Sequence, residues 1–184
     1  MTVGVVVSLP AETAARVARE KRARKSPEAE IPAHITLVSL VPAHDRWAEI
    51  AAHLRETARR HEPFAVELDG AGTFLPVSPV AFLAVGEGRE QLAALEADVR
   101  RGPLAFERPY PFVPHVTVLH PGEPEEVRRA ERELSAFRER FRVASMGLYQ
   151  KPPGESWVHR EEIPLGKNPS PEQHAEVLPP AGEG

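Results

Sequence analysis

His34-Ile35-Thr36-Leu37 and His115-Val116-Thr117-Val118 are one tetrapeptide pattern written twice, 81 residues apart, each close behind a proline, Pro32 and Pro114. Side chains alternate along an extended strand, so in each copy the imidazole and the hydroxyl share one face and the apolar pair takes the other. The apolar pair anchors the strand in a core, and the polar pair is left side by side. Outward from these strands the flanking elements also match. Val3–Leu9, stopped by Pro10, reads as a buried strand, and Pro10 opens a helix with Ala14, Val17 and Ala18 on one face. The first tetrapeptide lies on a strand at Ala33–Leu40. Asp45 then caps a helix whose apolar positions are Trp47, Ile50 and Leu54. Phe64–Leu68 alternates as a strand and ends at Asp69-Gly70-Ala71-Gly72. The second half repeats this order. It has a strand at Val80–Val85, a helix from about Glu90 to Arg101 bearing Leu92, Leu95 and Val99, and a strand at His115–Leu119. Pro124 begins a further helix carrying Val127, Ala130, Leu134 and Phe137, and strands follow at Phe141–Tyr149 and Trp157–Ile163.

Corresponding elements stay between 77 and 81 residues apart. The expected fold is therefore α+β. It is a bilobal duplication about a pseudo-two-fold, each lobe an antiparallel sheet with helices outside, and the active-site cleft lies between the lobes. Residues 1–166 are expected to form this single domain with interleaved lobes, and the polar, proline-rich residues 167–184 a disordered tail.

Composition narrows the chemistry. The 184 residues include no cysteine, which removes disulfides, thiolate metal centres and any thiol nucleophile, and leaves eight histidines as the chemical groups of interest. Twenty-three basic residues stand against 27 acidic ones, a net charge of −4 that argues against coating duplex nucleic acid by its phosphates. The opening apolar run is too short for a signal-peptide core or a membrane span, so a cytoplasmic protein without a membrane partner is expected.

If the lobes face each other, two imidazoles and two hydroxyls converge on one small volume. That set suits phosphate-ester chemistry without a metal. One neutral imidazole takes a proton from water and a protonated one delivers a proton to the leaving oxygen. Threonine hydroxyls donate to the non-bridging phosphoryl oxygens and hold the ester in line. A lone His-x-Thr is usually a structural feature, but recurrence at matched positions of a duplication favours function. No third histidine or carboxylate lies at ligand spacing beside both copies, so no metal site is expected. The other six histidines (His44, His53, His61, His120, His159 and His174) read as solvated surface residues.

The paired motifs, the opening VVVSLP strand running into a helix, and the segments LDGAGTF and FVPHVTVLHPGEP resemble the two-histidine phosphoesterase superfamily. Within it the layout is most similar to the 2′-5′ RNA ligase family of RNA 2′,3′-cyclic phosphodiesterases, over about residues 1–166. The resemblance implies that His34 and His115 are the catalytic pair, that Thr36 and Thr117 bind the phosphate, and that no metal or other cofactor takes part. The chain departs from the pattern at Val38-Ser39-Leu40, where relatives often carry an aromatic and a glycine, and at Leu119-His120, where an arginine is frequent.

The activity expected on this basis is hydrolysis of an RNA-terminal 2′,3′-cyclic phosphate to a 2′-phosphomonoester, with reversible 2′-5′ joining of RNA ends open to the same residues. The alternative substrate is a small nucleotide, an ADP-ribose cyclic phosphate or a 2′-5′ oligoadenylate. An alternative of another class is a non-catalytic module that binds RNA ends. Tyr110, Phe112 and Phe74 are candidates to stack on a base, and Arg101 and Arg108 to meet neighbouring phosphates. No obligate protein partner is evident, and a monomer is expected.

Overall fold

Val3, Val5 and Val7 are all but inaccessible and make β1 (Thr2–Ser8) an interior strand of the first sheet. The computed structural model describes residues 1–43, 45–169 and 176–179. After β1 the chain forms α1 (Ala11–Ala23), β2 (His34–Pro42), α2 (Trp47–Arg59), β3 (Phe64–Thr73) and β4 (Ala81–Val85). It continues as α3 (Arg89–Val99), a 3-10 turn at Gly102–Leu104, β5 (His115–Leu119) and α4 (Pro124–Glu133). The last elements are β6 (Arg138–Val143), β7 (Ser145–Lys151), β8 (Val158–Pro164) and β9 (Glu176–Val177). The fold is α+β, with two antiparallel sheets ordered β2-β1-β7-β8 and β5-β4-β3-β6-β9.

The two halves interleave. The N-terminal half sends β3 into the second sheet, because only residues 74–80 separate it from β4 and a short connection favours antiparallel neighbours. The C-terminal half returns β7 and β8 to the first sheet. Helices cross over in the same way, with α1 packed on β5, α3 on β2, α4 on β3 and β4, and α2 on β7 and β8. The main core runs through both sheets, from Val3 and Ile35 to Leu92, Val116 and Phe141, and a smaller cluster of Ala81, Leu119, Val127 and Ala130 lies under α4.

Local structure departs from the sequence reading at four places. The α2 N-cap is Arg46 rather than Asp45, and no side chain caps that helix. The Asp69–Gly72 segment does not end β3. The strand continues to Thr73 through an irregularity between Leu68 and Ala71, where Gly70 takes a positive φ of 71° and its N–H donates to the Phe137 carbonyl at 2.9 Å. Phe141–Tyr149 is two strands, not one. The buried positions run Phe141, Val143, then Met146, Leu148, so the alternation slips phase at Ala144, and the chain changes sheet there. Within the stretch read as a tail, Glu176 and Val177 pair with Arg142 and Phe141 at the edge of the second sheet, where β6 offers unpaired backbone groups. The expectation for residues 170–175 and 180–184 lies outside the described residues. By contrast, α4 starts as its sequence suggests, with Pro124 in the first turn and a reciprocal capping box between Glu123 and Glu126.

Gly88, the N-cap of α3, has a φ of 84°, and a Cβ there would stand 2.4 Å from the Ala65 carbonyl oxygen. Both the left-handed backbone and the backbone clash oppose any side chain. Gly88→Ala is therefore expected to cost at least about 2 kcal/mol of stability, read as a lower urea midpoint with an unchanged slope.

Candidate active site

The tetrapeptide strands lie where the sheets meet, with Cα atoms of β2 and β5 approaching within 8 Å. In each strand the alternation predicted from sequence is present. Ile35, Leu37, Val116 and Val118 are buried at 0–4% exposure, while His34, Thr36, His115 and Thr117 are all half-buried on the opposite face. The register repeats as well. Ser8 stands opposite His34 and Val6 opposite Thr36, while Ala84 stands opposite His115 and Phe82 opposite Thr117.

Both imidazoles are held the same way. His34 Nδ1 lies 2.8 Å from the Pro32 carbonyl oxygen, and His115 Nδ1 lies 2.7 Å from that of Val113. A carbonyl only accepts, so Nδ1 carries the proton in both rings and Nε2 is the atom that titrates. His115 is further clamped by aromatic rings, with Phe74 edge-on at 4.9 Å and Phe82 tilted at 5.2 Å between centroids. Phe74 thus supports the histidine. Tyr110 is well exposed, and Phe112 packs on the core beneath the Arg108 guanidinium.

Burial pushes both imidazoles below their ordinary titration range, and the carbonyl acceptors oppose this only in part. The positive charge of His34 lowers His115 further. The same shift has a consequence for stability. Unfolded, each imidazole binds its proton near pH 6.5, and folded only at lower pH, so just below 6.5 the unfolded chain binds more protons. Stability is then complete above about pH 6.5 and is lost as pH falls through the folded values. Replacing both histidines with asparagine is expected to flatten this acid limb in urea denaturation measured from about pH 7 to pH 4. An unchanged limb would contradict the assignment.

Two buried charges escaped the sequence reading. Lys21 is 2% exposed on the α1 face, one turn beyond Val17, and its ammonium donates to the carbonyls of Ile31 at 2.9 Å and Glu28 at 3.4 Å. It therefore ties down the segment leading to Pro32, whose carbonyl holds His34. Burial lowers its pKa, opposed by Glu28, and its charge also acts to lower His34. Glu96, equally buried in α3, pairs with Arg100 at 3.0 Å and Arg108 at 3.1 Å and so anchors the segment leading to His115. Hydropathy spacing assigns a lysine or a glutamate to solvent; the only signal was that Lys21 and Glu96 fall on the apolar stripes. Arg108 and Arg101 are thus engaged by Glu96 and by Asp98, the latter at 3.0 Å.

His53 and His61 are braces between helices rather than solvated residues, bonding the Val99 carbonyl at 3.0 Å and Asp98 at 2.9 Å. His120 and His159 pair with Glu28 and Glu162, each at 3.2 Å, and His44 and His174 lie outside the described residues. Among the described residues no cluster of three or more histidine and acidic side chains is placed to hold a metal ion, and no helix is long and apolar enough to cross a membrane.

Residues 9–155 match the family model described as the 2′-5′ RNA ligase superfamily. The chain belongs to this superfamily. Curated relatives of this superfamily member carry provisional phosphoesterase names. One from Bacillus cytotoxicus is 31% identical over 172 residues, covering 91% of this chain and 98% of the relative. One from Bacillus cereus is 32% identical over 176 residues, covering 91% and 98%. In fold, this superfamily member is similar to E. coli LigT crystallised with NADP+, with a TM-score of 0.66 at 21% identity over 89% of this chain and 97% of LigT. A Thermus thermophilus structure gives a TM-score of 0.62 at 22% identity over 91% and 100%.

Proposed function

We propose that the protein hydrolyses RNA-terminal 2′,3′-cyclic phosphate to a 2′-phosphomonoester, with His34 and His115 as the catalytic pair and Thr36 and Thr117 as the phosphate-binding pair. The observation that carries this reading is the twofold recurrence of one arrangement, an imidazole with Nδ1–H tied to the carbonyl two residues back and a threonine on the same strand face. One Nε2 takes a proton from water as its oxygen forms a bond to phosphorus. The other Nε2 delivers a proton to the 3′ oxygen as the P–O3′ bond breaks, leaving the phosphate on the 2′ oxygen. The threonine hydroxyls donate to the non-bridging oxygens, whose charge is concentrated in the transition state. With a 5′-hydroxyl in place of water as the attacking group, the same residues join RNA ends through a 2′-5′ bond as the P–O3′ bond breaks, and the reverse of that step cleaves the 2′-5′ bond. Crystals of E. coli LigT with 3′-AMP and with NADP+ support a nucleotide-sized ligand in this fold. Residues 1–166 act in this reading as one bilobal, monomeric unit.

The test is incubation with RNA ending in 2′,3′-cyclic phosphate, and separately with ADP-ribose cyclic phosphate and 2′-5′ oligoadenylate, all in EDTA, with products assigned by phosphorus NMR. A 2′-phosphomonoester from RNA is the expected product. Opening of the small nucleotides alone would move the substrate class, and binding of RNA ends without turnover would leave a binding module. The kcat/KM profile is expected to be bell-shaped, with its maximum below about pH 6.5 because burial lowers both imidazoles. A profile flat between about pH 4 and pH 8 would contradict acid–base pairing.

A further inference from the structure

At the far end of β2 lies a cavity of about 280 Å³, lined from the N-terminal half by Ser39, Leu40 and Arg46 and from the C-terminal half by Ala105 and Phe106. Its construction is unusual in three respects. First, β2 bulges here. Val38 pairs with Val5 and Val41 with Val3, so Ser39 and Leu40 together face Gly4. Leu40 holds a left-handed backbone, φ 58°, and is 60% exposed. That conformation disfavours a branched side chain, and folding gains nothing from an exposed leucine in it; bulges of this kind re-aim side chains beside binding sites.

Second, Phe106 lines the cavity, is partly exposed and is anchored in place. Arg100 donates to the Phe106 carbonyl at 3.1 Å, lies 5.8 Å over its ring, and is itself held by the buried Glu96 carboxylate at 3.0 Å. Third, Arg46 brings a cation to the rim and is fixed by donating to the Pro103 carbonyl at 3.0 Å.

Both segments that line the cavity are close along the chain to the proposed catalytic pair. Leu40 lies four residues beyond Thr36 on one strand, about 13 Å at the usual rise per residue. From Phe106 the chain leads through residues 107–114 directly into His115. A cavity that offers a leucine, an aromatic ring and a fixed cation, one strand's length from the proposed phosphate site, matches a flat base followed by its phosphate.

We propose that this cavity binds the nucleobase of a nucleotide upstream of the cyclic phosphate, with Leu40 and Phe106 gripping its two faces and Arg46 meeting the intervening phosphate. The substrate is then an oligoribonucleotide end rather than a lone nucleotide. This rests on the cyclic phosphodiesterase reading above.

The test compares kcat/KM for a nucleoside 2′,3′-cyclic phosphate and for a trinucleotide ending in one. The wild-type protein is expected to prefer the trinucleotide by at least about tenfold, and Phe106→Ala or Leu40→Gly to lower that ratio about tenfold. Leu40→Gly suits the local backbone, so it keeps the fold while removing the side chain. Arg46→Gln is expected to reduce the salt-dependence slope for the trinucleotide by about 0.7. A wild-type ratio near one, or variants that leave the ratio unchanged, would overturn the subsite. If neither compound is opened, the hydrolytic reading fails. Equilibrium binding of a trinucleotide 2′-phosphate against a nucleoside 2′-phosphate then decides the subsite separately. Tighter trinucleotide binding that Phe106→Ala abolishes sustains it, and equal binding removes it.

Discussion

His34→Ala and His115→Ala each lower kcat for opening a 2′,3′-cyclic phosphate by about 10²–10⁴-fold, and the double variant falls little below the worse single one. The magnitude is that of one positioned proton carrier, and non-additivity follows because acid and base serve the same transition state. Each ring is half-buried at a strand surface with its Nδ1 bonded to a backbone carbonyl two residues away, so removing it leaves the core of the strand intact. Single-turnover rates, with circular dichroism to confirm folding, make the measurement. Near-wild-type rate in either variant would end the two-histidine mechanism. The losses should also differ in pH dependence, because His34→Ala removes the charge that lowers His115. The surviving limb in His34→Ala is therefore expected to move up in pH.

Thr36→Val and Thr117→Val are each expected to lower kcat by up to about 10²–10³-fold, the scale of one lost donor to a developing oxyanion. Valine keeps the shape and the strand preference of threonine, so the change removes the hydroxyl and little else. Thr36 faces out beside the buried Leu37 and Thr117 beside the buried Val118, and neither is needed to fill the core. Serine at either position should restore most of the rate, because it returns the donor without the methyl group. If valine changes KM alone, the hydroxyls contribute ground-state binding only, and their assignment to transition-state charge is wrong.

The elements nearest the tetrapeptides were the most legible. β5 begins and ends where its pattern predicts, and α4 starts at the proline and paired glutamates that announce it. Local pattern misleads where it meets a distant partner. A phase slip at Ala144 was visible in the residues, yet nothing local says that one side of it joins β3 and the other β1. Asp69-Gly70 carries a turn signal, but β6 and β4 flank β3 on both sides and carry the strand through it. Lys21 and Glu96 look like solvent residues, and each is buried only because a later loop closes over it.

The duplication, the strand faces and the identity of the four polar groups are properties of short-range pattern. Alternation along a strand is set by backbone geometry, so His34 with Thr36 and His115 with Thr117 had to share a face wherever their strands were placed. That the two faces meet depends on pairing between residues far apart in the chain, β3 with β6 and β7 with β1, which carries the halves into each other's sheets. The protonation of the imidazoles, their clamping by Phe74 and Phe82, and the cavity between Leu40 and Phe106 arise at that junction. Desolvation and ring packing act over a few ångströms in space, between groups whose separation along the chain carries no record of it.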